Sequence, residues 1–149
     1  MLPFGPMTLP DSERDLLATV VGTMIPADAP LGIPGADDPA ILDDLAASLG
    51  RDLAAVRAGL ATLAAHGFAG LDRDAREALL NDLARAADPG MAALGRATVS
   101  AYYRDARVLA SLGMAPGAPF PRGYAIEPGD WSLLDAVRGR APFWRDDRA

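Results

Sequence analysis

The sequence predicts an all-α protein of about five helices packed as one bundle-like domain, with an irregular, aromatic-bearing C-terminal extension. Three observations lead there. Half of the 149 residues are apolar but only 6% are aromatic, and the apolar content is mostly Ala and Leu. These enter helices at little cost, whereas strands favour β-branched and aromatic side chains. Apolar residues recur at three- and four-residue intervals over successive segments, the period of a helix with one buried face. The 15 Gly and 13 Pro gather between those segments, where they act as punctuation.

Each element follows from its own residues. Residues 1–10 carry three prolines and read as an extended arm. A first helix is expected from about Ser12 to Met24, capped by Asp11 or Ser12, with Leu16, Leu17, Val20, Val21 and Met24 on its inner face. It should stop at Ile25, because Pro26 disfavours helical geometry in the residue before it. The stretch PADAPLGIPGAD is a loop. A second helix should start at Asp37 or Asp38 with Pro39 at its first position, where the missing N–H costs nothing. Ile41, Leu42, Leu45 and Leu49 would be its buried row, and Gly50 its end. A third helix is expected from about Arg51 to His66, closed by Gly67, and a fourth, capped by Asp72, to near Asp88. The fifth is predicted to be the longest, from Pro89 to Leu112, with Met91, Leu94, Thr98, Ala101 or Tyr102, Val108 or Leu109, and Leu112 facing inward.

The helical body thus covers residues 11–113 of a single domain, and residues 114–149 form a Pro/Gly-rich extension. A short helix is expected there from Trp131 to Arg138, capped by Asp130. The extension also holds Phe120, Tyr124, Trp131, Phe143 and Trp144. Disordered segments are poor in such residues, so this segment is expected to order against the body, a partner chain, or both.

Charge and composition narrow the function. The net charge is −6, from 20 acidic and 14 basic side chains, and every cation is Arg. With no basic stripe, nucleic acid is a poor partner, since phosphate neutralisation supplies most of that affinity. The absence of Cys removes disulfides, Cys-ligated zinc and iron–sulfur clusters. No apolar run approaches the ~20 residues of a membrane-spanning helix. The first residues lack the cationic start and apolar run of a signal peptide. The expectation is cytoplasmic at synthesis, with export alongside a partner as the other route.

Candidate chemistry is sparse. His66, the one histidine, could be a general base or ligand, or could simply meet the helix dipole in the last turn of its helix. The acidic pairs Asp37-Asp38, Asp43-Asp44 and Asp146-Asp147 lack the spacing of a calcium loop. No glycine pattern matches a phosphate-binding loop, and no Ser sits in a nucleophile-elbow context. No catalytic, cofactor-binding or metal-binding residue is therefore assigned. Tyr102 and Tyr103, followed by Arg104 and Arg107, are adjacent on a helix and point about 100° apart. At most one tyrosine can face the core squarely. The other belongs to a boundary suited to partners, where Tyr, Trp and Arg are enriched, or to surface packing with cation–π support.

Several stretches, in order, resemble the gluconate 2-dehydrogenase subunit 3 family. These are TMIPAD (residues 23–28), the region of Phe68 and Leu71 running into AREALLNDL (75–83), AYYRDARVLASLGM (101–114), and PFPRGY (119–124). The resemblance covers most of residues 12–125. It implies a non-catalytic, cofactor-free small subunit that binds and stabilises a large flavoprotein of the glucose–methanol–choline oxidoreductase type, aiding its folding, maturation or export. That large chain would hold FAD and oxidise a sugar or polyol, and a cytochrome c subunit would take the electrons onward. Small subunits of this family commonly carry a twin-arginine export signal, and none is present in this sequence. The partner contacts expected are Tyr102, Tyr103, Arg107, Phe120, Tyr124, Trp131, Phe143 and Trp144. The alternative from another class is a freestanding helical protein that binds a small ligand, which a helix-enclosed pocket with convergent polar groups would favour. An isolated enzyme would need His66 buried beside a carboxylate in a cleft.

Overall fold

Proline, glycine and capping aspartate positions set where most of the helices start and stop. A computed structural model of the chain describes residues 9–116 and 128–141, which fall into two units. The fold is all-α, with seven helices and no strand among the described residues.

In the first unit, α1 (Asp11–Met24) buries Leu17, Val20 and Val21. It starts one residue earlier than expected, with Pro10 in the cap position and no side-chain cap. It ends before Pro26, as expected. The following loop is held by a reciprocal backbone pair, Asp28 N–H to the Ile33 carbonyl (3.0 Å) and Ile33 N–H to the Asp28 carbonyl (3.0 Å). The Ala36 N–H then returns to the Ile25 carbonyl (2.9 Å). α2 (Pro39–Ser48) is capped by Asp38, which accepts from the Ala40 N–H, and buries Ile41, Leu42 and Leu45. A single 3-10 turn, Gly50–Asp52, leads into α3 (Leu53–Ala65), so the second turn of chain between these helices is tighter than a clean break at Gly50. Gly67, at φ +66°, takes the left-handed conformation that closes α3.

Phe68 follows, wholly buried, in another short 3-10 turn. Arg76 stacks its guanidinium 5.7 Å from the centre of the Phe68 ring and donates to the carbonyls of Phe68 (3.2 Å) and Ala69 (2.7 Å). Arg76 belongs to α4 (Arg73–Arg85), capped by Asp72 through the Ala75 N–H. Only Leu80 of this helix is buried; Leu79 and Leu83 are half-buried and packed against the core.

The predicted fifth helix is two helices. α5 (Pro89–Tyr102) is capped by Asp88, and α6 (Ala106–Ser111) by Asp105, whose carboxylate accepts from the N–H groups of Arg107 and Val108. An Asp side chain that satisfies those donors competes with continuation of the helical ladder. The chain breaks at Tyr103–Asp105, and the count rises above five. The break also rotates the inner row: Val108 is buried, while Leu112, expected in the core, is exposed.

α3 and α5 meet backbone to backbone. A Cβ placed on Gly59 would sit 2.8 Å from the carbonyl carbon of Gly90, and one on Gly90 would sit 2.5 Å from the Gly59 Cα. Backbone meets backbone there, so neither side can yield. With α1, α2 and α6 these helices enclose one core, including Leu17, Val20, Leu45, Val56, Leu60, Leu63, Phe68 and Leu94. The second unit contains a 3-10 turn, Trp131–Leu134, capped by Asp130, that runs into α7 (Asp135–Arg138). This is the short helix expected over the same residues.

Two glycine substitutions separate packing from propensity. Gly59→Ala should destabilise by at least about 1–3 kcal/mol, the usual range for overpacking a tight contact. Gly95→Ala, in the interior of α5 with nothing within 4 Å of the new methyl, should instead stabilise by up to about 1 kcal/mol through helix propensity. Urea unfolding midpoints of the two variants should therefore move in opposite directions.

Candidate functional site

Two surfaces of the helical body combine apolar and polar side chains. The first is a groove of about 610 Å³ between the C-terminal end of α1, α4 and the first turns of α5. Met24, Pro26, Leu80, Ala84 and Met91 supply its apolar lining, and Thr23, Arg73, Glu77, Asn81 and Asp88 its polar groups. It exists because α4 is held lightly, with Leu80 as its one fully inserted side chain. Arg73 and Glu77 are paired along α4 at 2.9 Å, which raises the Arg73 pKa through the Glu77 hydrogen bond. Asp88 spends one oxygen on the Met91 N–H at 2.8 Å. On the rim, Ala87 adopts φ +54°, a left-handed conformation rare outside glycine. A smaller depression adjoins the groove, lined by Thr19, Gly22, Asp37 and Arg76 and sharing Thr23, Pro26 and Arg73 with it. The stretches TMIPAD and AREALLNDL, far apart in sequence, meet at this groove.

The second surface surrounds the α5–α6 break. Tyr102 is buried, and its hydroxyl donates to the Pro34 carbonyl at 3.1 Å. Burial is the main cause that pushes its phenol pKa upward. Tyr103 is 50% exposed and meets Tyr102 edge-to-face with ring centres 5.3 Å apart. The two tyrosines divide as the 100° rule requires, one inside and one at the surface. Val99, one turn before Tyr103, is also exposed, as are Leu112 and Met114 beyond the end of α6.

Arg107, expected at a partner boundary, is engaged within the chain. Its guanidinium reaches Asp38 at 2.7 Å and Asp105 at 2.9 Å. One cation thus joins the carboxylates that cap α2 and α6. Its hydrogen bonds are the leading cause of the lowered pKa of both Asp38 and Asp105, and they raise its own. Arg104 is likewise tied to Asp44 at 2.7 Å and to the Ser48 hydroxyl at 2.9 Å.

Of the other residues expected at a partner surface, Trp131 lies in the second unit and is 66% exposed. Phe120, Tyr124, Phe143 and Trp144 lie outside the described residues. His66 is exposed at the end of α3, with Nδ1 2.8 Å from the Thr62 carbonyl. That is the helix-terminus role, and no carboxylate hydrogen-bonds to the ring among the described residues. Asp38 caps α2, and Asp43 and Asp44 pair with Arg14 and Arg104. Among the described residues no group of three or more acidic or histidine side chains is placed to hold a metal ion, and no helix is long and apolar enough to cross a membrane.

Sequence reasoning missed the groove. Its residues are spread over three helices, and its shape depends on how far α4 leans from α5. The hint available was Pro26, which ends α1 with carbonyls left over. No family model, no curated protein and no solved structure matches this chain.

Two measurements test the α5–α6 geometry. Tyr102→Phe should cost about 1 kcal/mol, the worth of one hydrogen bond to a carbonyl, with the near-UV spectrum otherwise retained. Asp38 and Asp105 titrate below their unfolded values, so the stability they contribute is complete above about pH 4 and is lost as pH falls through their folded pKa values. Arg107→Gln should raise both carboxyl pKa values in a carbon-13 titration and flatten the acid limb of the stability–pH curve.

Proposed function

We propose that this chain is a non-catalytic small subunit that binds and stabilises an FAD-dependent sugar or polyol dehydrogenase of the glucose–methanol–choline type. In this reading the flavin and the oxidoreductase chemistry belong to the large partner, and a cytochrome c subunit is a further member of the assembly. The observation that carries the proposal is the exposure of Val99 and Tyr103 at the end of α5 and of Leu112 and Met114 beyond α6. Three of these lie in AYYRDARVLASLGM, the stretch on which the family resemblance leans most. Large apolar side chains left exposed, where they form a contiguous patch, suit an interface more than free solvent. Tyrosine is also among the residues that anchor partners best. Tyr102 contributes from beneath by fixing the Tyr103 ring, and Arg107 by fixing α6 against α2. Trp131 is a second candidate anchor.

A second reading, a freestanding small-ligand-binding protein, has the α1–α4–α5 groove in its favour. Its volume falls within the range of small-molecule sites and it joins an apolar lining to polar groups.

Co-expression with a flavoprotein dehydrogenase encoded beside this chain distinguishes the readings. The subunit reading expects a yellow complex that co-purifies on a tag carried by this chain, with flavin recovery reduced at least about tenfold in Tyr103→Ala/Trp131→Ala, the loss of one hot-spot pair. A colourless chain recovered alone and unchanged by those substitutions would overturn it.

A further inference from the structure

We propose that α6 is a hinged strap that opens from the body as a unit, ahead of global unfolding, with Arg107 as its latch. Little holds this helix in place. α6 spans Ala106–Ser111 and buries one side chain, Val108. Leu109 is half-buried, and every residue from Ala110 to Pro116 is exposed. A helix of fewer than two turns is not stable by itself, because so few hydrogen bonds do not offset the cost of nucleation. α6 therefore persists only while the body holds it.

That hold has two parts. Val108 is buried in the core. Arg107 forks onto the cap of α2, with Nη1 donating to Asp38 Oδ2 at 3.0 Å and Nη2 to Asp38 Oδ1 at 2.7 Å. A two-point fit of this kind fixes orientation well, but the guanidinium is half exposed, and solvent keeps such a pair weak. Among the described residues it is the one side-chain hydrogen bond from α6 to another helix. The bonds that Asp105 accepts from Arg107 lie within the strap and survive its opening.

The hinge is defined from the other side. Arg104 is pinned to α2 through Asp44 and the Ser48 hydroxyl, so the end of α5 stays fixed and motion begins beyond it. A depression of about 290 Å³ already lies at the root of the strap, between Ile41 of α2, Ala101 of α5, and Asp105 and Ala106. Packing is discontinuous there before anything moves. Opening widens this depression and uncovers the seat of Val108. The inference goes beyond the subunit reading and does not rest on it, because the opening is a property of the chain alone.

The test is native-state hydrogen exchange of the full chain, followed by NMR at low urea concentrations. The amides of Leu109, Leu112, Gly113 and Met114, all bonded within the strap and its hinge, should share one protection factor. It should be at least about tenfold below those of Leu60 and Leu94, as expected of a sub-global opening. It should also be nearly independent of urea, whereas Leu60 and Leu94 follow the full urea slope, because the slope scales with the surface exposed. Gly59→Ala should speed exchange at Leu60 and Leu94 at least about fivefold and leave the α6 amides unchanged, since strap opening keeps the α3–α5 contact. Asp38→Asn retains a good cap for α2 and should speed the α6 amides about threefold, the scale of a partly exposed ion pair. The proposal is overturned if the α6 amides exchange together with Leu60 and Leu94 on one urea slope, or respond equally to Gly59→Ala. Protection that falls stepwise from Leu109 to Met114 would mean end fraying and would overturn it too, as would indifference to Asp38→Asn. The urea slopes decide the matter without a variant should Gly59→Ala fail to fold. None of these outcomes bears on co-purification with a flavoprotein, so the two readings fail separately.

Discussion

The contact between Gly59 of α3 and Gly90 of α5 is the constraint on which the rest of the body depends. With no Cβ on either residue the two backbones approach to a distance no other pair of residues would allow. Close approach lets the buried rows of both helices, Val56, Leu60 and Leu63 on one and Met91, Leu94 and Thr98 on the other, share one core. Thr98 is the one polar side chain buried there, and its hydroxyl is satisfied by the Leu94 carbonyl at 2.8 Å. Gly90 also lies directly after the Asp88-Pro89 start of α5. The residue that permits the crossing is thus placed by the cap that begins the helix.

Fixing α5 against α3 and α2 leaves α4 in a different situation. It is polar over most of its surface and inserts only Leu80. Its position relies on its cap at Asp72 and on Arg76 reaching back over Phe68. The groove between α4, α5 and the end of α1 follows from that imbalance. Where one helix pair is packed backbone to backbone and its neighbour buries one leucine and half-buries two, close packing cannot be continuous, and concave surface is the result.

The opposite end of α5 is organised by charge. Arg107 bridges the capping carboxylates of α2 and α6, Arg104 fastens α5 to α2 through Asp44, and the Tyr102 hydroxyl fastens the Ile25–Asp38 loop through Pro34. Individually such partly exposed ion pairs contribute little. Together they orient α6, and with it the exposed Tyr103, Leu112 and Met114. An arginine that looks like an interface residue in sequence is here tied to the caps of α2 and α6.

Helix class, most boundaries and the caps at Asp38, Asp72, Asp88, Asp105 and Asp130 are local properties. Capping and proline chemistry act within four residues, so the order of residues determined them; at Asp105 the apolar row running on to Leu112 nevertheless led the sequence reading through the break as one continuous helix. The same locality made the division of Tyr102 from Tyr103 readable, because 100° of rotation follows from helix geometry alone. The sequence by itself could not determine which helices touch, that Gly59 and Gly90 are opposite one another, or that TMIPAD and AREALLNDL face a common groove. Those relations join residues tens of positions apart, and only tertiary packing, where one helix's side-chain volume sets the distance of the next, decides them.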